Sequence, residues 1–253
     1  MEKNQRMSLK REKVRGKLDK QKSKPQHNWK KKSIFFKLPY WKDNLIHHNL
    51  DVMHIEKNIC DNVLWTLLSV DGKGKDNLNA RLKDLQHICI RKALHTQHHN
   101  NKTYLPPACF TLDNYEKDII CKLLKNVKVP DGYASNISRC VNIKQHTLFG
   151  LKSHDSHILM QQLLPLAIRR LYPPNVAKPL IELSSFFGQI CSKVLNEKDL
   201  DHLQSQIEHT LCHLEMIFPP SFFDMMEHLL VHLVEEAKIA GPATCRWMYS
   251  IER

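Results

Sequence analysis

The sequence predicts a mainly α fold, a helical bundle preceded by a disordered basic N-terminal tail. Three observations carry this. Seven glycines stand against twelve prolines in 253 residues, which suits helices separated by proline-bearing loops and not a hairpin-rich all-β chain. Apolar residues recur at helical spacing in long segments from residue 51 onward. Charge is segregated: residues 1–32 hold thirteen Lys and Arg against three acids, a net of +10, while the remaining 25 basic and 23 acidic residues nearly cancel.

The tail has almost nothing apolar to bury, so it cannot offset the entropy of ordering. Lys10, Arg11, Lys13, Arg15, Lys17, Lys20, Lys22, Lys24, Lys30, Lys31 and Lys32 suit DNA phosphates, bound by counterion release without reading bases. The same run resembles a nuclear-import signal. The competing reading is a solubilising tail. Over the whole chain, 42% apolar and 25% charged residues describe a soluble globular protein with enough length to bury a core. No apolar run reaches the roughly 18–20 residues that span a bilayer, and no signal-peptide core is present; an intracellular, nuclear protein without membrane contact is expected. The eight cysteines form no CxxC pair and read as reduced, mostly buried thiols.

Taken in order, "SIFFKLPYW" (33–41) reads as a strand or extended segment. Val52, Ile55, Ile59, Val63 and Leu67 define a helix of about five turns stopped by "VDGKG". A second helix is expected over residues 77–94, followed by a His- and Asn-rich loop from His95. A third follows Thr111 as N-cap. Four periodic segments then run over 154–172, 175–195, 197–218 and 222–240. Pro173, Pro174, Pro219 and Pro220 mark boundaries, and Pro165 and Pro179 kink or open helices.

Candidate chemistry is sparse. His209 with His213, and His228 with His232, fall at i, i+4 spacing that suits zinc, but amphipathic helices carry such pairs as interior or interface residues. "SHDSH" (153–157) has the composition of a catalytic triad and the simpler reading of a helix start. No phosphate-cradling glycine motif and no GxSxG occurs.

The stretch "SIFFKLPYWKDNLIHHNLDVMHIEKNICDNVLWTLL" resembles the end of the transposase core of plant CACTA-type (En/Spm-like) DNA transposons. "YLPPACFTL", "KVPDGYASNISRCVN", "GLKSHDSHILMQQLLPLAIRRLYPPNV" and the run from "CHLEMIFPPSFFD" to Arg253 resemble the segment and helical domain of unknown function that follow that core. The resemblance covers about residues 28–253. It implies four parts: tail 1–32, a remnant of an α/β ribonuclease-H-like core over 33–105, a connecting segment with one helix over 106–149, and the helical domain over 150–253.

Intact relatives are thought to cut DNA with an acidic triad and two Mg or Mn ions. The resemblance offers Asp51 and Glu252 as catalytic acids and His48 and His54 as metal ligands; Asp51 equally suits the N-cap of the next helix. The aspartate-glycine strand and CxxC of the family are missing, and Ser156 and Ser250 replace an expected cysteine and proline. The implied protein is a truncated transposase derivative that binds DNA or a partner without cleavage of its own and holds no cofactor. It would assemble as a homo-oligomer or with a full-length transposase. The alternatives are a metal-dependent nuclease completed by that partner and a non-functional gene fragment.

Overall fold

The computed structural model describes residues 31–99, 102–128, 130 and 136–247. The chain divides into two units at His47/His48. The basic residues Lys10 to Lys30, and Glu252, lie outside the described residues.

In the first unit, the aromatic segment forms two short 3-10 turns, Ile34–Lys37 and Trp41–Asp43, where a strand or extended segment is expected. Local ring packing replaces strand pairing: Trp41 stacks on Phe35 at 5.0 Å and meets Phe36 edge-on. His47 Nε2 lies 2.9 Å from the Trp41 carbonyl. Ile34, Phe35, Phe36 and Leu45 remain exposed.

The second unit is mainly α. Helix α1, Val52–Leu67, buries Val52, Ile55, Ile59, Val63 and Leu67 along one face, each burial contributing roughly 1.5–3 kcal/mol. It ends in a turn with Ser69 left-handed. Gly74 is required nearby, because a Cβ there would meet the Trp65 carbonyl oxygen at 2.9 Å. Helix α2, Leu78–Ala80, passes into a π-helical turn, Arg81–Gln86. The expected helix to residue 94 stops here because Cys89 and Arg91 adopt positive φ. The left-handed turn sends the Arg91 guanidinium to the carbonyls of Glu215, Ile217 and Phe218, at a helix end that lacks intrahelical donors.

Strands β1, Gln97–His99, and β2, Lys102–Tyr104, pair antiparallel where a loop is expected. Helix α3, Asn114–Asn126, is capped by Asp113, not by Thr111. Asp113 Oδ1 accepts the Glu116 amide at 2.7 Å and Glu116 returns the bond at 2.9 Å, a capping box. Thr111 Oγ1 instead accepts the Ala108 amide. Strands β3, Val141–Asn142, and β4, Thr147–Leu148, form a second small hairpin.

Helix α4, Ser153–Ile158, and helix α5, Leu164–Leu171, are joined by a π-helical turn, Leu159–Leu163. Pro165 has no N–H to offer the Gln161 carbonyl, so the ladder widens and the Leu164 amide reaches back to Leu159. Helices α6, Pro174–Ile190, α7, Glu197–Ile217, and α8, Met225–Ala240, complete the chain, each packed on the next. Pro165 opens α5, and Pro179 lies within α6. Helix α1 packs on α4 and α8. One apolar core runs from Val52 to Ala243. Among the described residues no helix is long and apolar enough to cross a membrane.

The cysteines are free, but Cys89, Cys109, Cys212 and Cys245 are exposed and only Cys60, Cys121 and Cys191 are buried. The expectation of mostly buried thiols therefore fails. His209, His213, His228 and His232 all face solvent, so none of them is an interior residue.

Candidate functional site

Asp51 caps α1. Its backbone is extended (φ −81°, ψ 92°) and Oδ1 accepts the His54 amide at 3.1 Å, satisfying one of the four orphan donors of the helix start. His48 and His54 are exposed. None of the three belongs to a cluster of three potential metal ligands among the described residues. Lys31 and Lys32 are exposed, with Lys32 Nζ 5.3 Å above the Phe36 ring.

The approach to α1 is fixed from α8. Glu236 accepts the Leu50 amide with both oxygens, at 3.0 and 2.8 Å, and pairs with Arg246. A cleft of about 230 Å³ lies here, lined by Asn49, Leu50, Asp51, Ala243, Arg246 and Trp247 among others.

A second tie from α1 to α8 is buried. Asn62 Nδ2 donates to Glu227 Oε1 at 2.5 Å and to the Phe222 carbonyl at 2.8 Å. Glu227 Oε2 accepts the Asp224 amide, closing the capping box of α8. Burial pushes the Glu227 carboxyl above its usual range, outweighing its hydrogen bonds from Asp224 and Asn62. Burial also acts on Asp224, but bonds from the Met226 amide, Glu227 and Lys75 outweigh it and hold that carboxyl low.

Because folded Glu227 keeps a proton that the unfolded chain releases, its contribution to stability falls as pH rises from about 4.5. Glu227→Gln removes that slope. The stability deficit of E227Q relative to wild type should shrink as pH rises through this window in urea titrations; a deficit that widens with pH would refute the assignment.

Among the described residues, a further polar constellation joins α1, α4 and the end of α6. Glu56, His157 and Cys191 place one carboxylate, one imidazole and one sulfur donor within 4.8 Å of one another. Glu56 is 1% exposed and Cys191 8%. His157 Nδ1 lies 2.6 Å from Glu56 Oε2, and Gln161 Nε2 lies 2.9 Å from Glu56 Oε1 and 3.0 Å from His157 Nδ1. Trp247 packs edge-on against the His157 ring at 5.6 Å. The π-helical turn that carries Gln161 is a feature often found at functional sites. Burial, reinforced by the Glu56 carboxylate, pushes the Cys191 thiol up, with the Gln161 hydrogen bond opposing.

This cluster does not stand out in the sequence. Glu56 lies inside "HHNLDVMHIEKN" and His157 inside "SHDSH", yet about a hundred residues separate them and no spacing rule links them to Cys191. The only local signal is the i, i+4 relation of His157 and Gln161. "SHDSH" itself begins a helix: buried Asp155 Oδ2 accepts the Lys152 amide at 3.1 Å.

Residues 190–253, about a quarter of the chain, match the family Domain of unknown function (DUF4218), a domain type found in transposase-like proteins. The matched segment contains Cys191, Glu227, Glu236 and Arg246, but neither α1 nor α4. No curated protein and no solved structure matches the chain.

Proposed function

We propose that the chain is a plant CACTA-type transposase derivative that works in the nucleus and binds DNA through its basic segment without cleaving it. The observation that carries this is the charge segregation: net +10 in the first 32 residues beside a nearly neutral body. The DUF4218 match supports the transposon ancestry. Asp51 supports the non-cleaving role, because its carboxylate caps α1, whereas two-metal cleavage needs converging carboxylates. DNA contact is to phosphates and of low specificity, and assembly is with a second copy or a full-length transposase. The chain needs no cofactor for this role.

Fluorescence anisotropy of duplex DNA across a salt series tests the reading on the whole chain and on a variant with Lys10, Arg11, Lys13, Arg15, Lys17, Lys20, Lys22 and Lys24 changed to Gln. The slope of log affinity against log salt should flatten by about 0.9 for each phosphate that the variant no longer neutralises. Equal affinity and slope for the two chains would overturn tail-mediated binding. Conversion of supercoiled plasmid by the whole chain with Mg or Mn would overturn the non-cleaving role.

A further inference from the structure

We propose that Glu56, His157 and Cys191 bind one divalent transition-metal ion, zinc by the chemistry of the donor set, and that the ion fastens α1, α4 and the end of α6 to one another. This does not depend on DNA binding.

Geometry is the first argument. Oxygen, nitrogen and sulfur donors already lie within 4.8 Å of one another. Tetrahedral zinc, with bonds of about 2.0–2.3 Å, sets neighbouring ligand atoms roughly 3.3–3.8 Å apart. The Glu56–His157 contact must open from 2.6 Å by about an ångström, a side-chain movement that leaves the helices in place. Thiolate plus imidazole plus carboxylate is a donor set that suits zinc better than magnesium or calcium.

Hydrogen-bond accounting is the second. His157 Nδ1 has one in-plane position, which is either an N–H or a lone pair. It faces both a Glu56 oxygen at 2.6 Å and the Gln161 amide nitrogen at 3.0 Å. With Nδ1 protonated it donates to Glu56 Oε2 while one Gln161 N–H donates to Glu56 Oε1, so both oxygens of the buried carboxylate are fixed. Gln161 orients that carboxylate from outside, as the partners of metal ligands do.

Charge is the third. Glu56 is buried, and among the described residues the basic side chain set against its carboxylate is the His157 imidazole. A buried carboxylate without a full counter-charge is costly. On binding, the Cys191 Sγ–H proton leaves to solvent, the imidazole binds through a bare ring nitrogen, and Glu56 and the thiolate together carry two negative charges. These balance a divalent ion and leave a neutral buried centre. The fourth position falls to one water.

The same residues also have the composition of a Cys-His-Glu nucleophile. That reading fails on Cys191, a buried thiol beside a carboxylate, where a reactive thiolate needs an electropositive, accessible setting.

Zinc content of the full chain, purified without added metal, should be about one ion per chain. After chelation, ZnCl2 should raise the melting temperature. X-ray absorption at the zinc edge should show a single sulfur at about 2.3 Å with nitrogen and oxygen at about 2.0–2.2 Å. Cys191→Ser, His157→Gln and Glu56→Gln should each abolish the bound equivalent, while H228Q/H232Q retains it. Gln161→Ala should weaken zinc about 10- to 100-fold as an outer partner of the ligands. Absence of zinc with no thermal shift on adding ZnCl2, retention of the ion in C191S, or a shell with no sulfur or with several would each overturn the proposal. If C191S does not fold, the wild-type absorption spectrum and E56Q decide.

Discussion

Replacing Arg81 with leucine should cost about 3–5 kcal/mol of folding stability, the range seen when one partner of a buried ion pair is removed. Arg81 is 1% exposed. Its Nε and Nη2 grip both oxygens of Asp76 at 2.6 and 2.7 Å, and Nη1 donates to the carbonyls of Leu94 at 2.9 Å and Pro106 at 2.8 Å. One planar guanidinium thus holds three points of the chain around the hairpin β1–β2. Leucine leaves a half-buried carboxylate and two carbonyls without these donors, each loss adding to the desolvation cost. Arg81→Lys should recover little, because an ammonium keeps the charge and loses the fork.

Asp76→Leu should also destabilise, since it strands the guanidinium. R81L/D76L should then be less damaging than the sum of the singles, because neither charge remains to be stranded. Urea unfolding of the four chains, with m-values compared to confirm one transition, gives the cycle. A deficit for R81L below about 1 kcal/mol would show that water replaces the guanidinium and that the clamp is not structural.

What sequence reasoning could see follows from the range of the forces involved. Helices α1, α3, α6, α7 and α8 repeat apolar residues every three to four positions because each lays one stripe on the shared core, so periodicity reveals them. Asp51 as a cap is legible for the same local reason, since its partner is three residues away. Arg91 is the opposite case. Nothing near it forbids a longer helix; its left-handed turn is stabilised by carbonyls at the far end of α7, more than a hundred residues later. Strands β1 and β2 lack apolar alternation, all six of their residues being exposed, so the usual strand signal is absent. Thr111 and Asp113 are both good caps, and the Glu116 side chain selects Asp113 through the reciprocal bond. The Glu56–His157–Cys191 cluster is built wholly by tertiary packing, and no local rule reports it.

Phe218→Ala is expected to cost about 3–5 kcal/mol, as full truncation of a buried phenylalanine does. Phe110, Phe218 and Phe222 are each at most 1% exposed and stand in a row, with ring centroids 4.8 Å apart for Phe110–Phe218 and 4.2 Å for Phe218–Phe222. Removal of the middle ring opens a cavity between two others. The surroundings cannot close it easily. Phe110 is held through its carbonyl by the Tyr172 hydroxyl at 2.8 Å, and the Phe218 carbonyl is held by Arg91, while Pro219 and Pro220 stiffen the chain just beyond. A site that cannot collapse lies at the upper end of the range for such truncations. Phe218→Leu keeps much of the volume and should cost less than half as much. In a cycle with Phe222→Leu, the two rings should couple by about 0.5–1.5 kcal/mol beyond area burial, since they stack at 16°. Chemical unfolding of F218A, F218L, F222L and the F218L/F222L double variant measures this. Equal losses for alanine and leucine at 218 would mean that the neighbouring helices do close over the gap, and that the row of rings fills space without setting the junction of α7 and α8.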